Sequence, residues 1–407
     1  ICWLPVRPTG AASGRRVTNP DLTPYIKDYR FCYKVMPSDN SRTAQHVDIL
    51  SRLLFPGKQD VPPPDPDNPA NVYPLLQRVS DLTAAELADF LCLADAHHVT
   101  VRALEALGKA ASAFPGHDRI RSWCESTLAH ESGRIAHAVE NLVPICAALE
   151  AAGAQVAVIK SLDHWPDLGS DLDLYTDSDE TTVLRVMAQQ FHAVQEARSW
   201  GDRLANKWNF KLPDLPELVE IHVRYLGQTG EQKVLARRVL ERSVNRNVGG
   251  HNFRVPAPEE RVIISTLQRM YRHLYFRLCD MADFAALLND RAIDFEELRR
   301  AADLGGIWPG VATFLHLIAD YVNSYGGEIE IPREVEAVVP SRGLQVHLGG
   351  KFLRVSKGPA AGLYGTQLLN AGRHADFRAL YRLPLLPPLA ISAFLAYRLT
   401  GNDKGVW

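Results

Sequence analysis

Two acids one residue apart, Asp171 and Asp173, stand in the segment Asp171-Leu172-Asp173-Leu174-Tyr175, where acidic and apolar side chains alternate. In an extended chain, residues two apart share a face, so both carboxylates point one way while Leu172 and Leu174 point into a core. Adjacent carboxylates repel each other unless a cation lies between them, which makes the pair a candidate magnesium site. An isolated Asp-x-Asp is more often a pair of solvated loop residues. Here a second strand-like segment, Leu218 to Tyr225, carries Glu220 between Val219 and Ile221. Three carboxylates from two strands are what a two-magnesium site for phosphoryl or nucleotidyl transfer requires.

The elements that must position these acids follow from the pattern around them. Val156 to Ile159 is a β-branched run ending in Lys160-Ser161, and a Pro/Gly-rich turn leads from there to Ser170 and the acidic strand. This reads as strand, loop, strand. Ser178-Asp179 caps a helix through Phe191, and short strands are predicted at Ala193 to Ala197, Asn206 to Leu212 and Leu218 to Tyr225. Alternation aligns Lys207, Asn209 and Lys211 on one face, and Glu220, His222 and Arg224 on another. Upstream, Ser80 to Glu86 opens a helix carrying Leu87, Phe90 and Leu91; further helices are expected at Val99 to Ala113 and Trp123 to Ala152, the last interrupted at Pro144. Downstream, Pro258-Glu259-Glu260 starts helical structure through Leu288, with more at Phe295 to Leu304 and Pro309 to Tyr325.

The ends of the chain are less regular. Val61 to Asp67 holds four prolines and cannot be helix, Arg30 to Val35 reads as a strand, and the glycines and prolines after Ile331 suggest irregular structure. The resulting division is a Pro-rich segment 1–78, a helical region 79–152, a β-rich core 153–256, a helical region 257–330 and a C-terminal extension 331–407. The fold class is α+β, a small mixed sheet flanked by helical regions.

Composition narrows the partners. A net charge of −2 and 46% hydrophobic residues describe an ordinary globular protein without an overall basic field, so extensive binding to a nucleic-acid backbone is not indicated. Six scattered cysteines form no Cys-x-x-Cys pair, which favours a reduced, cytoplasmic protein over a zinc knuckle. No pattern of a signal peptide is visible. Leu383 to Leu399 is apolar but short and proline-bearing, suited to weak membrane-surface contact rather than spanning.

Taken in order, these pieces resemble the DNA polymerase β-like nucleotidyltransferase superfamily, most closely a bacterial family of uncharacterised nucleotidyltransferases. The resemblance rests on Ala94-Asp95-Ala96-His97-His98-Val99, Val158-Ile159-Lys160-Ser161, Asp171-Leu172-Asp173-Leu174, Glu220-Ile221-His222 and Cys279-Asp280-Met281-Ala282-Asp283-Phe284, across about residues 80 to 290. It implies that Asp171 and Asp173 hold two Mg2+ ions, that Glu220 binds the metal activating the acceptor oxygen, and that Ser161 and its turn, with Ser170, contact the phosphates of a nucleoside triphosphate. The chain departs from the family pattern in two places. Ser161 stands where the turn usually has glycine, and Glu220 where aspartate is more usual.

Other residues have two readings each. Lys160, Lys207 and Lys211 are candidate phosphate partners or solvent-exposed lysines. His222, on the face of Glu220, either touches substrate and orients a metal ligand or is a strand histidine satisfied by its neighbour. Arg269, Arg272, His273 and Arg277 form either a basic wall over a triphosphate or ordinary surface charge. Asp280 and Asp283, one turn apart, are expected to cap or salt-bridge helices, and a metal role is not expected of His97-His98. The expected activity is magnesium-dependent transfer of a nucleoside monophosphate from an NTP to a small-molecule acceptor, with release of pyrophosphate. The alternatives are nucleotidylation of a tRNA or protein, and non-catalytic nucleotide binding at a degenerate site.

Overall fold

The structure is a computed structural model that describes residues 40–55, 73–340 and 344–400; the expected strand at Arg30 to Val35 and the proline run Val61 to Asp67 lie outside them. Five helices come first: α1 (Asn40–Leu54), α2 (Tyr73–Ser80), α3 (Ala84–Ala96), α4 (Thr100–Ala113) and α5 (Asp118–Ala151). The start of α3 follows from its sequence. Thr83 accepts the Glu86 backbone N–H while Glu86 reaches back to the Thr83 N–H, satisfying two donors that a helix end leaves unpaired.

Helix α5 has 34 residues, about 51 Å at 1.5 Å per residue. It passes Pro144 without interruption because that residue sits on the solvent side. Its first half packs Ile120, Trp123 and Cys124 into the helical core, and its second half packs Ile135, Val139, Leu142 and Leu149 under the sheet.

The sheet follows. Strands β1 (Val156–Val158), β2 (Asp171–Thr176), β3 (Val194–Gln195), β4 (Lys207–Lys211) and β5 (Leu218–Val223) stand in the order β1-β2-β5-β4-β3. Only β2 and β5 run parallel; the other pairs are antiparallel, which makes the sheet mixed. Helix α6 (Glu180–Phe191) and the single turn α7 (Trp200–Ala205) fill the crossover. The architecture is the expected α+β, a small sheet with helical regions on either side in sequence.

After α8 (Val234–Glu241) comes a hairpin, β6 (Ser243–Val248) and β7 (His251–Pro256). Its turn is Gly249-Gly250, both at positive φ, the pairing that two-residue hairpin loops favour. The helix from Pro258 proves shorter than its apolar pattern suggests. Helix α9 (Pro258–Gln268) runs into a π-turn, Arg269–His273, then a two-residue strand β8 (Tyr275–Phe276), before α10 (Leu278–Asn289) begins.

Helices α11 (Phe295–Leu304) and α12 (Trp308–Ser324) complete the second helical region. The chain beyond Ile331 is more regular than expected, with α13 (Arg333–Glu336), β9 (His347–Gly349), β10 (Phe352–Arg354), α14 (Lys357–Arg373), α15 (Phe377–Arg382) and α16 (Leu386–Thr400). Pro359, Pro387 and Pro388 fall in first turns, where a missing N–H costs no intrahelical bond. Strand β10 pairs with β8, and Phe352 stacks on Tyr275 at 4.3 Å. No helix among the described residues is long and apolar enough to cross a membrane. Ile391, Leu395 and Leu399 on α16 are exposed.

Candidate active site

Register brings the acids together. In the parallel pair, Asp173 lies opposite Glu220, and Asp171 is one pleat earlier on the same face. In the antiparallel pair of β4 with β5, Lys207 lies opposite His222 and Asn209 opposite Glu220. Period-2 alternation therefore puts Asp171, Asp173, Glu220, His222, Lys207 and Asn209 on one face, while Leu172, Leu174, Val219 and Ile221 are buried on the other. Arg224 leaves that face. It follows the strand at φ 66° and donates to the Asp177 carbonyl instead.

Lys160 is the least anticipated member of the cluster. It has φ 59° and ψ −60°, and the Ser161 N–H donates to the Ile159 carbonyl across it at 2.6 Å. This is a γ-turn of the rarer, strained hand. The turn aims the Lys160 ammonium at the acids. Nζ contacts Asp173 Oδ1 and lies 3.5 Å from Glu220 Oε1 and 3.4 Å from His222 Nε2. The unusual backbone thus falls on Lys160, not on the serine that replaces glycine. Ser161 is buried, accepts the Asp173 N–H at 2.7 Å and donates to the Asp171 carbonyl at 3.0 Å, so its hydroxyl ties the turn to β2 beside both acids.

Charges on this face are only partly balanced. Lys207 bridges Glu220 (2.9 Å) and Asp202 (2.8 Å), and His222 Nε2 lies 2.8 Å from Glu220 Oε1. Burial pushes the Glu220 carboxyl up, but Lys207 and Lys160 prevail and hold it well below the usual carboxylate range. Asp171 has no ion-pair partner among the described residues. Burial, with Glu220 and Asp173 close by, pushes its carboxyl up to about 6.

The opposite wall is basic. The π-turn and the start of α10 bring Arg269, Arg272, His273 and Arg277 to the same cleft, which holds about 220 Å³ of free space. π-turns recur at functional sites because the extra residue redirects side chains. Arg277 comes from the N-cap of α10 rather than from the helix begun at Pro258. Arg272 Nε, Arg277 Nε and Arg269 Nη1 are buried donors without hydrogen-bond partners among the described residues. Asp280 accepts the Arg277 N–H at 2.7 Å and pairs with Arg269 at 2.8 Å, and Asp283 pairs with Arg102 at 2.8 Å, so both acids cap and bridge as expected.

Two further expected residues lie at the edge or beyond. Ser170 is exposed at the cleft rim, where its carbonyl accepts the Leu218 N–H at 3.3 Å. Lys211 ends β4 beside Val194, exposed and with no ion pair to the acids among the described residues.

The loop from Leu162 to Gly169 reaches the cleft through His164 and Gly169, and four arginines hold it. Arg246 donates to the Leu162 carbonyl (2.9 Å), Arg261 pairs with Asp163 (2.7 Å), Arg102 with Asp167 (2.8 Å), and Arg134 donates to the Leu168 carbonyl (2.9 Å). Sequence reasoning missed His98, His164 and Gln268, which also line the cleft. The signal for His164 was its place between Lys160 and Asp171. His98 and Gln268 reach the cleft through tertiary packing, which spacing alone does not reveal.

The acids fit a divalent cation on the structure's own terms. An ammonium group already sits between Asp173 and Glu220, and Asp171 beside them has no ion-pair partner among the described residues. Hard oxygen donors of this kind suit Mg2+. The unpartnered guanidinium nitrogens across the cleft suit a phosphate chain.

With this geometry in place, comparison with known proteins adds one positive result. A family model described as uncharacterised nucleotidyltransferase matches residues 83–323, more than half of the 407. The match begins at the N-cap of α3 and contains every cleft residue named above. No curated protein and no solved structure matches the chain.

Proposed function

Since the chain belongs to this nucleotidyltransferase family, we propose that it is a magnesium-dependent enzyme moving a nucleoside monophosphate from an NTP to a small-molecule acceptor, with release of pyrophosphate. The observation that carries the proposal is the register of Asp173 against Glu220, with Asp171 on the same face, opposite a wall of unpartnered arginine donors.

Asp171, Asp173 and Glu220 would hold Mg2+, which when bound supplies positive charge to the triphosphate and eases deprotonation of the acceptor hydroxyl. The chain's own groups do the rest. Arg272 and Arg277 bind phosphate oxygens with donors that are otherwise unsatisfied. Lys160, released from Asp173, follows its charge onto the phosphates. Lys207, held between Glu220 and Asp202, fixes the orientation of the Glu220 carboxylate. The cleft's limited free space favours a small acceptor over a nucleic-acid duplex.

The test is incubation with each α-labelled NTP, Mg2+ and a panel of candidate acceptors. Labelled product and pyrophosphate are expected, and both should vanish when Asp171 and Asp173 are replaced together by Asn. Mg2+ binding or pyrophosphate release that survives that double replacement overturns the reading. One observation favours a second reading, a nucleotide-binding protein without turnover: Lys160 already occupies the space between Asp173 and Glu220. Tight NTP binding with no pyrophosphate released under any condition would select it.

A further inference from the structure

A second cluster of ligating side chains lies on the same cleft, away from the acids. His98, His164 and Cys279 come from three distant segments: the turn between α3 and α4, the loop after Lys160, and the first turn of α10. One ligand atom from each lies within 4.8 Å of those from the other two. We propose that they bind a zinc ion.

The donor set points to zinc rather than magnesium. Two imidazoles and a thiol are borderline-to-soft donors, and Zn2+ accepts such mixed N/S sets with four ligands in all. The side chains are also prepared for a metal. His164 Nδ1 is hydrogen-bonded to Asp283 Oδ2, which leaves Nε2 facing Cys279 Sγ at 3.8 Å. A carboxylate on the far nitrogen is the support that metal-bound histidines usually have. Asp283 is itself fixed by Arg102 at 2.8 Å.

His98 supplies an independent observation. Its Nε2 is buried without a hydrogen-bond partner among the described residues, while Nδ1 is 3.5 Å from Arg277 Nη1. His98 has φ 52°, a conformation that costs a non-glycine residue energy and holds the ring in this place. The ring leans on Gly169, where a Cβ would lie 2.7 Å from His98 Cε1, so a side chain at 169 would displace it. A buried ring nitrogen with no partner has lost its hydration without compensation. Coordination supplies that partner.

Binding would release the Cys279 thiol proton, and the thiolate with Asp283 offsets the ion's charge among nearby arginines. His98 and His164 both line the cleft, so the fourth position opens towards it. The ion would clamp α10 and the α3–α4 turn to the loop that precedes Asp171. This inference stands apart from the magnesium proposal, because it uses none of the same ligands.

The experiment is metal titration of the full chain, purified metal-free under reduction, with Co2+ as a spectroscopic probe and Zn2+ as competitor. The wild-type protein is expected to develop a thiolate-to-cobalt charge-transfer band that saturates at about one metal per chain and is displaced by Zn2+. H98Q, H164Q and C279S should each abolish the band. D283N should keep it with affinity lowered about 10–100-fold, and D173N should leave it unchanged. No band in the wild-type protein overturns the proposal, and that reading requires no variant to fold. A band retained in H98Q, H164Q or C279S, with native circular dichroism, overturns it equally.

Discussion

At the level of single residues, the acidic face was legible because strand parity is a local property. Asp171 with Asp173, and Glu220 with His222, share a face as alternation within each strand requires, whereas Lys207 joins them only through the register of β4 on β5. Lys160 was not legible as a partner of Asp173, because its direction depends on a positive φ that the sequence does not announce. Replacing Asp173 by Asn or Glu220 by Gln is expected to lower transfer about a thousandfold, about 4 kcal/mol of transition-state stabilisation. Steady-state pyrophosphate release measures this, and wild-type rates in either variant would remove the acid from the proposed role. Ser161 carries a different prediction. Ser161→Ala leaves the buried Asp173 N–H without its acceptor and should cost about 1–3 kcal/mol in urea unfolding. A neutral result would mean that a water replaces the hydroxyl.

At the level of elements, capping signals and apolar periodicity located α3, α4, α6, α11 and α12 to within a few residues. Three features escaped. The β6–β7 hairpin had its signal in Gly249-Gly250, yet no strand was expected on either side of that pair. The apolar pattern after Pro258 continues through a π-turn and a short strand, because burial periodicity does not register a break that keeps the same face inward. Prolines near the C-terminus proved to start helices rather than prevent them.

The packing of α1 on α3 carries a pH prediction. His46 is buried edge-on against Phe90 at 5.5 Å, with Arg42 on its own helix and Asp89 and Glu86 on α3 as the charged groups facing it. Burial is the largest influence and lowers its pKa below 6.5. The folded state then resists a proton that the unfolded chain accepts, so stability is lost as pH falls from about 6.5 towards the folded value. The unfolding temperature should decline over that range, and more shallowly in His46→Phe. Equal slopes in the two proteins would exclude His46 as a source of the decline.

At the level of the whole molecule, the sequence showed where helical and β-rich regions alternate, but not that one helix serves both. Helix α5 belongs to the helical core at one end and to the sheet's core at the other. A fragment spanning 153–256 would lack Ile135, Val139 and Leu142 beneath its sheet, and is expected to aggregate when expressed alone. A chain spanning 40–400 retains them, together with the α1 and α2 residues that close the helical core, and should stay soluble. Soluble, monodisperse 153–256 in gel filtration would refute the dependence.

The parallel pairing of β2 with β5 also determines when the site comes into being. A parallel pair cannot close through a tight turn, so Asp173 and Glu220 meet only after β3, α7 and β4 have found their places between them in the chain. Such distant pairings form slowly. The helices and the β6–β7 hairpin are therefore expected to form ahead of the acidic cluster during refolding. Trp208 on β4, stacked under Arg198 at 3.8 Å, should report that late step by its fluorescence. A chain still emerging from synthesis would carry Asp171 and Asp173 long before it could use them: the carboxylate face is complete only with β5, and the arginine wall from 269 to 277 follows later still.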